Sequence, residues 1–220
     1  MAAMRRVLTG DEARARDRIA GLAETTDRAI EQALGCFRDH DAVLAQQVVD
    51  GDAHINALQR KIEQGCFTAI ALQQPVARDL RDLIADMNIA SELERIADHA
   101  AAVAKIVLHM DAAAPTVFTG TIERLGEECR RMLATVMQAY QEGDEARARA
   151  VAADDDGVDR LEQQIGADIL AYLAENPDQI RSCTHSLWVV HNIERIGDRV
   201  TNIAERVVFM ATGEYVDLNR

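Results

Sequence analysis

The chain has 220 residues, enough for one large domain or for two of roughly 100 residues each. Hydrophobic residues make up 48% but aromatics only 4%, so a core here must be built from Ala, Leu, Ile and Val. The formal net charge of −13 repels phosphodiester backbones and argues against nucleic-acid binding, while a metal cation or a basic protein surface suits it as partner.

Alanine-rich, proline-poor composition favours helix, because Ala loses no side-chain rotamer freedom there. Proline breaks a helix interior and is tolerated in a first turn, so Pro75, Pro115 and Pro177 act as punctuation. Periodicity and these breaks predict six helices. The first runs from Asp11 to Phe37, the second from Asp41 to Leu72, and the third from Pro75 to Met110. A linker follows from Asp111 to Gly120, around Pro115. The fourth helix runs from Thr121 to Glu142, the fifth from Asp144 to Glu175, and the sixth from Pro177 to Met210, with Gly213 as terminator. A 30-residue helix is about 45 Å long and needs a partner along most of that length. In the third helix Leu93, Ile96, Ala100, Val103 and Val107 repeat at 3-4 spacing, and in the sixth Ile193, Ile196, Val200, Ile203 and Val207 do the same, which is a bundle seam.

The chain repeats itself. Leu93-Glu94-Arg95-Ile96-Ala97-Asp98-His99 returns one hundred residues later as Ile193-Glu194-Arg195-Ile196-Gly197-Asp198-Arg199. Leu80-Arg81 matches Ile180-Arg181 at the same offset. Asp52, Asn56 and Leu58 match Asp155, Asp159 and Leu161 at an offset of 103. The fold expected is therefore all-α: two three-helix bundles in tandem, residues 1–114 and 115–220.

The repeated motif carries carboxylates. Glu94 and Asp98 stand one turn apart on one helix face, as do Glu194 and Asp198, and Asn202 and Glu205 continue the second row. These groups lie roughly 140° to 220° from the seam midpoint, on the face away from the core. A row so placed is ordinarily a solvated face. Against that reading, the pair recurs in both halves, and the neighbouring helix adds Asp155 and Asp159 in one half and Asp52 in the other. Like charges one turn apart also call for a compensating cation. Such oxygen-rich clusters suit Mg, Ca, Mn or Fe.

Together with Ala71-Leu-Gln-Gln-Pro-Val-Ala-Arg-Asp-Leu-Arg81, the two motifs and the run Val200-Thr-Asn-Ile-Ala-Glu205 resemble the PhoU family of phosphate-uptake regulators over nearly the whole chain. The resemblance implies paired three-helix bundles, a homodimer, and surface metal clusters held by acidic-xxx-Asp motifs. It also implies a non-enzymatic negative regulator of the phosphate-starvation response, connecting the ATPase subunit of a phosphate ABC transporter with a sensor histidine kinase. On this chain the metal ligands would be Glu194, Asp198, Asn202, Glu205, Asp155 and Asp159 in the complete second cluster. Glu94, Asp98 and Asp52 would form a weaker first one. The metal would be a divalent or trivalent ion, with Fe, Mn, Mg or Zn all open. The first half departs from the pattern: Ala97 replaces the motif glycine, a change that matters little on sequence grounds. Asn56 replaces an aspartate, and Ala102 and Lys105 stand where the second half has Asn202 and Glu205. An ammonium there supplies its own positive charge.

Other residues read more simply. Arg81 and Arg181 suit ion pairs that orient neighbouring helices, with phosphate binding the sharper alternative. His191 lies three residues before Glu194, but no Glu in the chain has a His three residues later, as a di-iron bundle would need. Trp188 suits a packing anchor in the bundle or a dimer interface. Cys36, Cys66, Cys129 and Cys183 form no CxxC and suit buried thiols of a reduced cytosolic protein. With no basic-plus-apolar leader and no run of ~18 apolar residues, membrane contact is expected only through partners. Two rival functions stay open: a metal-dependent phosphoester hydrolase, and a structural bundle that binds no metal.

Overall fold

The structure is a computed structural model that describes residues 2–110 and 117–218, with side chains from residue 15 onward. Six α-helices and one short 3-10 turn follow in chain order: α1 (Ala2–Asp39), α2 (Ala42–Gln73), α3 (Arg78–Val107), α4 (Thr119–Glu142), α5 (Glu145–Glu175) and α6 (Ile180–Thr212). The turn Pro177–Gln179 leads into α6. Helix α1 begins well before the expected Asp11, because Ala2 to Leu8 holds no breaker and Gly10 alone does not stop a helix. The expected linker lies mostly outside the described residues, at 111–116; residues 117 and 118 form a turn ahead of α4. Pro75 does not open α3. It sits in a short connection flanked by Gln74 and Ala77, both at positive φ, and the helix starts at Arg78.

The repeat reappears as local chemistry. Asp41 caps α2 by accepting hydrogen bonds from the Val43 and Leu44 amides at 2.9 Å each. Asp144, at the equivalent position, caps α5 through the Arg147 amide at 3.0 Å. Gly143 and Gly213, at φ 66° and 81°, terminate α4 and α6 in the left-handed conformation that glycine adopts without steric cost.

Helices α1, α2 and α3 pack mutually as one bundle, and α4, α5 and α6 as the other. The predicted seams are the two inner stripes: Leu93, Ile96, Ala100, Val103 and Val107 are buried in α3, and Ile193, Ile196, Val200, Ile203 and Val207 in α6. Helices α3 and α6 then lie against each other, antiparallel, along the centre of the molecule, and α1 packs on α4. Buried apolar residues of both bundles form one contiguous core.

Polar pairs fix this central contact, and they follow the repeat. Arg199 of α6 lies 3.5 Å from Glu92 of α3. The residues one hundred positions away from each, His99 and Asn192, hydrogen-bond at 3.1 Å. Arg181, at the start of α6, donates to the His109 carbonyl just past α3 at 3.3 Å. Arg81, at the start of α3, lies against Gly213, the cap of α6. The two equivalent arginines therefore each cover the C-terminal end of the other repeat's central helix, where partial negative charge collects. Tyr140 of α4 donates a 2.6 Å hydrogen bond to buried Asp86 of α3, and Arg130 of α4 forks onto Asp27 of α1 at 2.9 and 3.0 Å.

The four cysteines are buried and free, as expected. Trp188 is not an anchor within the bundle. It is 54% exposed and, among the described residues, meets the His185 ring alone of the aromatic side chains, since position 188 falls between the inward positions 186, 189 and 190.

Candidate metal centre

The second cluster forms where α5 crosses α6. Asp155 and Asp159 project from α5 on one turn, and Glu194 and Asp198 from α6 on another. Their closeness is visible in their acidities. Burial pushes the Asp155 carboxyl up to about 6; the Thr201 hydrogen bond opposes that rise, and Asp159 and Asp198 add to it. Burial pushes Glu194 up to about 7, with Asp198 and Asp159 contributing and Arg195 opposing. Asp159 is also raised, by burial and then by Asp198. Thr201 donates to Asp155 Oδ2 at 3.0 Å, which leaves Oδ1 buried and without a partner. Glu194 Oε2 is likewise unpartnered by hydrogen bonds, with His191 Nδ1 at 3.4 Å.

Three of these four carboxylates do not stand on an outward face; only Asp159 is exposed. Asp155 is 6% exposed, and the Glu194 and Asp198 side chains are each 21% exposed. The expectation of an outward stripe measured angle from one seam, whereas α6 has three neighbours, α3, α4 and α5, and α5 covers the acidic flank. Gly197 makes the crossing this close. A Cβ there would come 2.9 Å from Asp155 Oδ1 and 3.3 Å from Val158 Cγ1. In the first repeat the equivalent residue is Ala97, so the glycine-to-alanine difference bears directly on the geometry of the clusters.

Asn202 and Glu205 do not join the cluster. The Asn202 amide crosses to Glu92 of α3 at 3.2 Å. Glu205 accepts from the Leu218 amide at 3.0 Å, which pins the C-terminal segment, and has Arg206 at 3.5 Å. Sequence reasoning missed Thr201 and Glu162. Glu162 acts on Glu194 and lies three residues after Asp159, so i+3 spacing on α5 marks it. Thr201 has no such signal; its counterpart in the first repeat is Ala101.

The first cluster is the same arrangement in a weaker form. Burial raises Asp52, Asp98 raises it further, and Lys105 opposes the rise. Burial also raises Glu94, followed by Asp98 and Asp52. Asn56 donates to Asp52 Oδ2 at 3.1 Å, and Asp52 Oδ1 is left unpartnered.

Hard oxygen donors with unpartnered buried lone pairs fit an oxophilic cation in chemistry. Among the described residues, no three Asp, Glu, His or Cys side chains converge closely enough, as they stand, to hold one ion.

A tandem pair of antiparallel three-helix units, each carrying a carboxylate cluster at one helix crossing, defines a helical-repeat binding protein. The PhoU domain family model matches the chain twice, at residues 19–107 and 122–207. The phosphate-specific transport system accessory protein PhoU homolog of Caulobacter vibrioides is 39% identical over 204 residues, 92% of this chain and 87% of its own length. That of Rhizobium meliloti is 32% identical over 197 residues, 89% of this chain and 83% of its own length. The crystal structure of the phosphate transport system regulatory protein PhoU from Streptococcus pneumoniae superposes with a TM-score of 0.90 at 28% identity, covering 96% of this chain and 99% of that one. The chain belongs to the PhoU family, whose members are regulatory accessory proteins and not enzymes.

Proposed function

We propose that this chain is a regulatory accessory of phosphate transport. It acts on the cytoplasmic side as a homodimer of two-bundle subunits, divided near residues 114 and 115. It restrains the phosphate-starvation response by contacting the ATPase subunit of a phosphate ABC transporter and a sensor histidine kinase. Family membership over both repeats is the observation that carries this reading. The absence of any helix apolar enough to cross a membrane, among the described residues, accords with membrane contact through partners.

A divalent or trivalent metal belongs to the second cluster in this reading. Asp155, Asp159, Glu194 and Asp198 would hold it after side-chain adjustment, with Asn202 and Glu205 reaching it only by releasing Glu92 and Leu218. The ion would neutralise the cluster and tie α5 to α6. The first cluster, Asp52, Glu94 and Asp98, would hold metal less well, because Lys105 already supplies positive charge beside Asp52.

Elemental analysis of the purified protein tests the metal. Glu194→Ala combined with Asp198→Ala is expected to remove most of it, and equal content in both proteins would refute the assignment. Affinity capture from phosphate-replete and phosphate-starved cells tests the role. Recovery of the transporter ATPase or the sensor kinase is expected, and recovery of neither under both conditions counts against it.

A further inference from the structure

A second feature lies away from both clusters. Between α1 and α2 runs a groove of about 750 Å³, with Ala15, Leu22, Leu58, Ile62, Ala69 and Leu72 among its apolar lining and Leu83 of α3 contributing. On α2 it extends from Leu58 to Gln73, about 20 Å of helix. Among the described residues this face packs on no other helix, because the first bundle meets the second through α3 and α1. Leu72 is 76% exposed, and Phe67, on the same stretch of α2, is 60% exposed.

The second repeat shows what such a groove requires. At the 103-residue spacing, Ala15 and Ala69 correspond to Phe118 and Tyr172. Those two rings meet edge to face at 5.5 Å, where α4 and α5 come together. Gly21 and Gly65 correspond to Arg124 and Asp168. On the α4–α5 face the matching end of the groove is thus filled by Phe118 and Tyr172, and the smaller cavity that stays open, about 510 Å³, is bordered by charges of both signs, among them Arg124, Arg131, Arg160, Glu128 and Asp154. The first repeat lacks those two rings, and its groove is the larger and more apolar.

Charge narrows the occupant. Among the described residues, the groove's charged lining consists of Arg18 and Lys61, both basic, in a chain of net charge −13. Among the described residues neither has an ion-pair partner. The Arg18 guanidinium lies over Gly65, where an added Cβ would stand 3.1 Å from Nη1.

We propose that this groove receives an amphipathic helix of a partner protein, which becomes the fourth helix of the first bundle. Its bulky apolar side chains occupy the space beside Ala15 and Ala69, where Phe118 and Tyr172 stand in the other repeat. Its carboxylates meet Arg18 and Lys61. Grooves between helices take such ligands through side chains at i, i+3 and i+4. Unpaired cations beside an apolar floor select against a basic helix, which would repel them.

The test uses a labelled synthetic helix of about 15 residues, with Leu and Phe on one face and Glu along its borders. A twin carries Lys in place of Glu. Fluorescence anisotropy with the full chain is expected to show the acidic helix binding at least roughly tenfold more tightly than its twin at low salt, the gap closing as salt rises. Ala15→Phe with Ala69→Tyr, copied from the second repeat, is expected to abolish binding while helicity is retained. Arg18→Glu with Lys61→Glu, a surface change that leaves packing alone, is expected to reverse the preference. Equal binding of the twins, no binding of either, or unchanged affinity in the filled variant would overturn the proposal. So would conversion of a dimer to a monomer by the filled variant, which would assign the groove to a second copy of this chain.

Discussion

Gly197 is the residue on which the second cluster turns. Its missing side chain lets Asp155 approach α6, and any Cβ must displace that carboxylate or Val158. Gly197→Ala should therefore cost about 1–3 kcal/mol, the usual penalty of overpacking, and should lower metal content as well. A thermal melt and an elemental analysis on the same sample check both effects. Glu194 gives a prediction with a sign. Its folded carboxyl titrates near 7, above the ordinary glutamate value of about 4.3. The folded state holds the proton more tightly, so the stability it contributes is complete below about pH 4. That contribution is lost as pH rises through 7. In metal-free protein, Glu194→Gln should gain stability relative to the parent between about pH 5 and pH 8. Parallel chemical denaturation at both pH values checks this, and a constant difference between the two proteins would contradict it. His99, whose protonation burial disfavours, is common to both proteins and cancels from the comparison.

At the scale of the helix, equivalent devices recur at equivalent positions. Asp41 and Asp144 each satisfy amides in the first turn of their helix. Replacing either with Ala should cost about 1 kcal/mol and lower the melting temperature by about 2–4 °C, which calorimetry can resolve. How much of this the sequence reveals depends on how local the cause is. The seams of α3 and α6 are legible because an apolar stripe recurs within one helix. So are the six helices, and the two repeats through the Glu-Arg-Ile motif. Pro75 misleads because α3 is entered through left-handed residues at Gln74 and Ala77, for which the sequence holds no glycine as a sign. The carboxylate pairs are legible as pairs, but the burial of Asp155 and the partial cover of Glu194 and Asp198 are not. Whether a flank is solvated depends on which helix lies beside it, and Asn202 and Glu205 were drawn off by α3 and by the C-terminal segment. The roles of Arg81 and Arg181 are non-local in the same way, since each reaches a helix end from the opposite repeat.

At the scale of the molecule, two bundles share one core. Helices α3 and α6 bury each other's flanks, and Tyr140, Asp86, Arg130 and Asp27 tie α4 to the first repeat. Unfolding should therefore be a single cooperative transition, with calorimetric and van't Hoff enthalpies in agreement. Two resolved transitions would show bundles that fold independently. A cut between residues 114 and 115 should yield halves that remain associated, because separation would expose the apolar surface of the central pair. The pairs Glu92–Arg199 and Asn192–His99 carry a consequence of their own. They are related by an approximate dyad, the geometry of an isologous contact between identical subunits, in which residue i meets j and j meets i. Were the halves separate copies of one short chain, each residue type would have to serve at both places. Covalent fusion lifts that demand, so one side of the dyad can be ionic and the other neutral. One helix crossing can likewise narrow around glycine while its twin, free of the same duty, accepts alanine and lysine.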